Sequence, residues 1–209
     1  MKPLEKNIIV FDLHDVLFER NYWRVLKELA CLQKKGKFIA LLLTPSFIID
    51  AVKMLWVTRV SEAYLIKLSQ KQKRLMPFVD TIIDLTNMLL PIKEMFLLIA
   101  FLKIKGYKIY IFSNIGSMTY QKLYKPYQQF FNNFDGIHFA ESSNNWIAKP
   151  HQDAYKLFLK KYNINPQKMI FIDDKPKNVL AAQQHGITSI VFKSTRQLLQ
   201  QLTNLNIIN

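Results

Sequence analysis

Two adjacent carboxylates, Asp173 and Asp174, follow the apolar run at 169–172. Like charges held side by side repel one another unless a cation or hydrogen bonds compensate them. Mg²⁺ answers that description, because it takes hard oxygen ligands, keeps several waters and needs only one or two protein carboxylates. A third Asp is at hand: Asp12 closes the apolar run at 8–11, just as Ser113 closes the run at 107–112. Taken singly, an Asp or Ser in such a place reads equally as a turn or cap residue, and an acidic pair as a solvated helix start. What they share is position.

The runs at 8–11, 107–112, 169–172 and 188–192 are short and rich in β-branched and aromatic residues, and helical patterns lie between them. Strands alternating with helices predict an α/β fold: an open, mainly parallel sheet flanked by helices. The helices have readable ends. One spans 91–105 and stops at Gly106, a second spans 151–162 and stops at Asn163, and a third spans 176–185 and stops at Gly186. Ser194 caps a last helix reaching about Leu202. Ligands of an open parallel sheet bind beyond the carboxyl ends of its strands. Asp12, Ser113, Asp173 and Asp174 therefore converge on one rim.

Residues 19–90 break the rhythm, with helix-like apolar spacing and no convincing strand. They read as a helical insert, leaving 1–18 and 91–209 as the α/β core, an ordinary domain size. Within the insert, 38–57 is strongly apolar but interrupted by Pro45, Asp50 and Lys53. Its unbroken part is short of the roughly 20 residues that a bilayer requires. Core or pocket lining is the first reading, and contact with a membrane surface the second. A net charge of +14 over 209 residues favours anionic partners: phosphorylated metabolites, acidic membranes or nucleic acid. Nucleic acid ranks last, because the runs Lys34-Lys35-Gly36-Lys37 and Lys71-Gln72-Lys73-Arg74 adjoin helical patterns and suit solvated faces. The single cysteine, Cys31, permits neither an intramolecular disulfide nor a zinc-knuckle spacing. With no signal-peptide pattern at the N-terminus, the expected location is cytoplasmic.

Four motifs sharpen the picture: Asp12-Leu13-His14-Asp15-Val16, Phe112-Ser113-Asn114, Lys149-Pro150 and Ile172-Asp173-Asp174-Lys175-Pro176-Lys177-Asn178-Val179. In type and order the chain resembles the haloacid dehalogenase superfamily. The Asp-Asp-x-x-x-Asn-Val form is similar to a branch containing sugar phosphatases and the phosphatase domain of soluble epoxide hydrolase. The resemblance covers everything but the insert, which occupies the place of the family's helical cap. It implies a Mg²⁺-dependent phosphatase acting on a small phosphate monoester through an aspartyl-phosphate on Asp12. Ser113 and Asn114 would bind the phosphoryl group, and Lys149 would neutralise it and the nucleophile. Asp12, Asp174, Asp173 and the backbone carbonyl of His14 would surround the metal, with Asp173 the more remote.

One position departs from that pattern. Most family phosphatases carry Asp two residues after the nucleophile as acid and base, and here the residue is His14. Imidazole can serve in both roles; three neighbouring carboxylates favour its protonated form and Mg²⁺ opposes it. Asp15 replaces the family's common Gly, and Asp tolerates left-handed backbone. The departure leaves two alternatives open: a metal-independent 2-haloacid dehalogenase, and a catalytically weak phosphate-binding or interaction module. In the insert, Arg20, Arg24, Lys53 and Arg59 are candidates to meet an anion, and Tyr22, Trp23 and Trp56 read as pocket or core. His138, His151 and His185 have no metal-like spacing and read as surface or structural.

Overall fold

The computed structural model describes residues 6–31, 36, 40, 44–45, 69–71, 73–86, 88–141 and 144–208. Five parallel strands make the central sheet: β1 (Ile8–Phe11), β4 (Lys108–Ser113), β5 (Gly136–Phe139), β6 (Met169–Asp173) and β7 (Thr188–Val191), in the order β5-β4-β1-β6-β7. The expected α/β class is correct. β1 is central and all four of its residues are buried, the mark of a parallel strand covered on both faces.

Alternation divides the core in two. Ile9, Phe11, Ile109, Ile111, Ile170 and Ile172 face one way. They pack on α3 (Lys93–Ile104), α4 (Ser117–Tyr124), α5 (Gln128–Phe131) and α8 (Thr195–Asn204). Ile8, Val10, Tyr110, Phe112, Met169 and Phe171 face the other way, onto α6 (Gln152–Tyr162) and α7 (Pro176–Gln183). The period of two along each strand thus feeds two apolar layers.

Register sets the rim. Phe11 lies level with Ile111 and Ile172, so Asp12 comes level with Phe112 and Asp173. The Asp12 amide donates to Ile172 O at 2.8 Å, carrying the ladder one residue past the strand. The chain then turns sharply, with Asp15 at φ 58°, the left-handed geometry that its side chain tolerates.

Two strands stand where the insert was expected to have none. β2 (Phe18–Arg20) pairs antiparallel with β3 (Leu89–Pro91), and the Asn21 amide donates to Met88 O at 2.8 Å. Three-residue strands are too short for a period-two pattern to register. Between them, the described elements are helical: α1 (Tyr22–Cys31), a 3-10 turn (Lys73–Phe78) and α2 (Val79–Thr86). A Lys122–Asp84 ion pair of 2.5 Å ties α2 to α4. The apolar stretch 38–57, with Lys53 and Trp56, lies almost wholly outside the described residues, as does Arg59. No described helix is long and apolar enough to cross a membrane.

Candidate active site

Lys149 is the hub of the rim. Its side chain is 1% exposed, and its ammonium donates to Phe112 O at 2.6 Å and to Asp173 Oδ2 at 2.6 Å. Asp12 Oδ1 lies 3.1 Å away as an ion-pair partner. The rings of Phe112 and Phe171 each stand 5.1 Å from the nitrogen, an arrangement that favours the charged form. Burial presses the ammonium towards neutrality, but Asp12 and Asp173 outweigh it and hold the Lys149 pKa above the ordinary lysine value.

The backbone of Lys149 is fixed by Asn114. Its side-chain Nδ2 donates to Lys149 O at 2.7 Å while its Oδ1 accepts from Lys149 N at 2.8 Å. The amide so placed serves the lysine, where the resemblance had it serving the phosphoryl group. Ser113 ends β4 beside it, almost fully buried.

Asp173 and Asp174 differ sharply. Asp173 is 0% exposed and both its oxygens are engaged: Oδ1 accepts from Lys175 N and Asn178 Nδ2 at 2.9 Å each, and Oδ2 from Lys149 and, at 3.0 Å, Asn178. Burial pushes its carboxyl up and Lys149 and the Lys175 amide oppose. Asp174 is half-buried, and its Oδ1 has no hydrogen-bond partner among the described residues; nor has Asp12 Oδ1. Burial, then the neighbouring carboxylates, push the Asp174 carboxyl up to about 6 against the pull of Lys175. Ligand oxygens of Asp12, Asp173 and Asp174 all lie within 4.8 Å of one another. Shielded anionic oxygens without donors are costly unless a cation answers them. Asp174 fits a divalent ion by that test, Asp12, paired with Lys149 through Oδ1, lies within reach of the same ion, and Asp173, whose oxygens are taken, fits the outer position.

His14 is half-buried, with Nε2 shielded and unpartnered among the described residues. Burial pushes its pKa down to about 4, with the Arg20 guanidinium adding to the effect and Asp15 opposing it. Desolvation and the cations Arg20, Lys175 and Lys149 thus outweigh Asp15 and favour the neutral imidazole. Arg20 is exposed at the end of β2. Tyr22 and Trp23 are exposed rather than core, and Arg24 is exposed beside them. His138 is buried, His151 caps α6 by accepting from Asp153 N, and His185 stacks on Tyr155.

Asn178 joins the site although its sequence context presents it only as a cap or loop contact. Its signal is the spacing Asp173-x-x-x-x-Asn178, which brings a side chain in the first turn of α7 back onto the end of β6.

The chain belongs to the haloacid dehalogenase-like hydrolases, whose family model matches residues 2–186. Over 105 residues it is 33% identical to the sesquiterpene phosphatase astK of Aspergillus oryzae, an alignment covering 50% of this chain and 52% of that protein. The chain thus spans about half the length of this curated relative. Its fold is similar to that of the L-2-haloacid dehalogenase of Xanthobacter autotrophicus, with TM-score 0.63, 18% identity and 94% and 82% of the two chains covered. It is similar too to a Bacteroides thetaiotaomicron enzyme of the same family in complex with magnesium and inorganic phosphate, with TM-score 0.59, 21% identity and 90% and 95% covered.

Proposed function

We propose that the protein is a Mg²⁺-dependent phosphatase that hydrolyses a small phosphate monoester through an aspartyl-phosphate on Asp12. The observation that carries this reading is the cluster of Asp12, Asp173 and Asp174 oxygens within 4.8 Å of one another, with Asp174 Oδ1 shielded and unpartnered among the described residues and Asp12 paired with a buried lysine. Such an arrangement suits a cation and a dianion meeting at one carboxylate. A phosphatase name on the Aspergillus relative and the magnesium and phosphate in the Bacteroides enzyme lend support. A metal-independent dehalogenase has no use for Asp174 in this setting.

In the proposed reaction an oxygen of Asp12 attacks phosphorus and the phosphorus–oxygen bond to the leaving group breaks, while His14, neutral in the free protein, takes up the proton that a monoanionic ester brings and passes it to the departing oxygen. Lys149 neutralises Asp12 so that an anionic phosphoryl group can approach, and Ser113 donates to a phosphoryl oxygen. His14, then neutral, takes a proton from the water that hydrolyses the aspartyl-phosphate. Asp12, Asp174 and the His14 carbonyl would hold Mg²⁺, with Asp173 more remote, and the ion would supply positive charge against the phosphoryl oxygens. Residues 19–90 act as a cap, selecting the substrate and excluding water.

Release of phosphate from an aryl phosphate and from a metabolite panel that includes a sesquiterpenyl phosphate tests the reading. Turnover should require Mg²⁺ and vanish in Asp12→Asn. Halide release from a 2-haloacid without metal would replace it with the dehalogenase, and phosphate binding without turnover with the binding module.

A further inference from the structure

The rim residues lean on a tyrosine that touches none of the groups assigned to the reaction. Tyr155 is 0% exposed in α6, and its hydroxyl donates to Asn178 O at 2.7 Å, in the first turn of α7. Asn178 in turn gives its Nδ2 to both oxygens of Asp173, and Asp173 receives Lys149. A second route runs through the rings. Tyr155 meets Phe112 edge-on at 5.3 Å and Phe171 at 6.0 Å, and these are the two rings that flank the Lys149 ammonium.

We infer that Tyr155 is a positioning residue for Lys149, fixing it through the Asn178–Asp173 clamp on one side and the Phe112–Phe171 rings on the other. This rests on the reading of Lys149 and Asp12 as the reaction centre. The alternative is a tyrosine that merely fills the layer between the sheet and α6, where its ring also stacks on His185 at 5.5 Å. Packing alone needs no hydroxyl. The hydroxyl holds the carbonyl of the very residue whose side chain makes the clamp, so losing it frees Asn178 to shift. Because Lys149 must meet a developing charge, a shift of about an ångström there costs turnover far more than affinity.

Tyr155→Phe keeps the ring and removes the hydroxyl. It should lower kcat about tenfold while KM moves less than about twofold. In an Asn178→Ala background the same change should add almost nothing, because both act on one path. A second readout needs no substrate: the ¹⁵N–¹H signal of the Lys149 ammonium, identified by its loss in Lys149→Arg. Two fixed acceptors, Phe112 O and Asp173 Oδ2, with the Asp12 ion pair beside them, should protect it from solvent exchange in the natural protein, and Tyr155→Phe should speed that exchange several-fold. An unchanged kcat and unchanged exchange in a Tyr155→Phe protein of lower Tm would overturn the inference, and so would an unprotected Lys149 signal in the natural protein. If no phosphate ester is hydrolysed, the phosphatase reading fails, and the exchange measurement still decides this one. Should Tyr155→Phe not fold, Asn178→Ala cuts the same path one link nearer: faster exchange of the Lys149 ammonium supports the inference, and unchanged exchange overturns it.

Discussion

Lys149 Nζ stands 2.6 Å from Asp173 Oδ2, in a pair whose side chains are 1% and 0% exposed. A buried ion pair contributes little net stability, yet removing one partner strands the other's charge and costs about 3–5 kcal/mol. Asp12, at 3.1 Å, depends on the same ammonium. Lys149→Met is therefore expected to lower the unfolding free energy by about 3–5 kcal/mol in urea melts. A loss below about 1 kcal/mol would mean that the pair behaves like an exposed one.

Asp174 supplies the second expectation. Its carboxyl is pushed up to about 6 by burial and by Asp12, Asp173 and Asp15, so the cluster carries negative charge short of a counter-ion. A divalent cation that binds only the folded state should stabilise it by about 2.7 kcal/mol at a hundred times its Kd. Mg²⁺ should thus raise Tm in the natural protein, at matched ionic strength, and fail to do so in Asp174→Asn. Equal shifts in both proteins would place the cation elsewhere.

The sheet and its rim are readable from the chain because strands such as 8–11 and 169–172 are buried on both faces, and unbroken apolar runs of that length stand out. β5 escapes that pattern: Gly136-Ile137-His138-Phe139 mixes a glycine and a histidine into a half-buried segment. The family resemblance picks out Asp12, Lys149 and the acidic pair, of which only the pair stands out by charge and spacing, and sequence does not tell which oxygens find donors. That distinction separates Asp173, saturated by Asn178, Lys175 and Lys149, from Asp174. At His14 the sequence leaves the balance open, because the desolvation that lowers its pKa depends on packing that no local pattern encodes.

If His14 carries the proton to the leaving oxygen, its removal should matter in proportion to how badly the leaving group needs one. His14→Ala is expected to slow an alkyl phosphate by about 10²–10⁴-fold, the usual worth of general acid–base catalysis. An aryl phosphate, whose phenolate departs unaided, should lose much less in the first step. Stopped-flow measurement of the first turnover separates that step from hydrolysis of the aspartyl-phosphate. Equal losses on both esters would reduce His14 to a positioning role.

His138 gives the fold a sensitivity to acid that is independent of the rim. It lies on β5 opposite Phe112, against the rings of Phe112 at 5.3 Å and Phe158 at 5.8 Å, and neither ring nitrogen has a partner among the described residues. Burial, helped by Lys161 and opposed by Glu141, pushes its pKa from 6.5 down to about 4. Between those values the unfolded chain binds the proton and the folded one does not, so stability falls as pH falls through that window. The full loss by pH 4 is on the order of 3 kcal/mol. His14, also lowered to about 4, acts in the same direction, whereas Asp174, raised to about 6, acts in the opposite one. The contribution of His138 is thus the difference between the natural protein and His138→Phe in urea melts from pH 7 to pH 4. The natural protein should lose stability more steeply across that range; parallel curves would mean that the folded core accepts the proton as readily as the unfolded chain does.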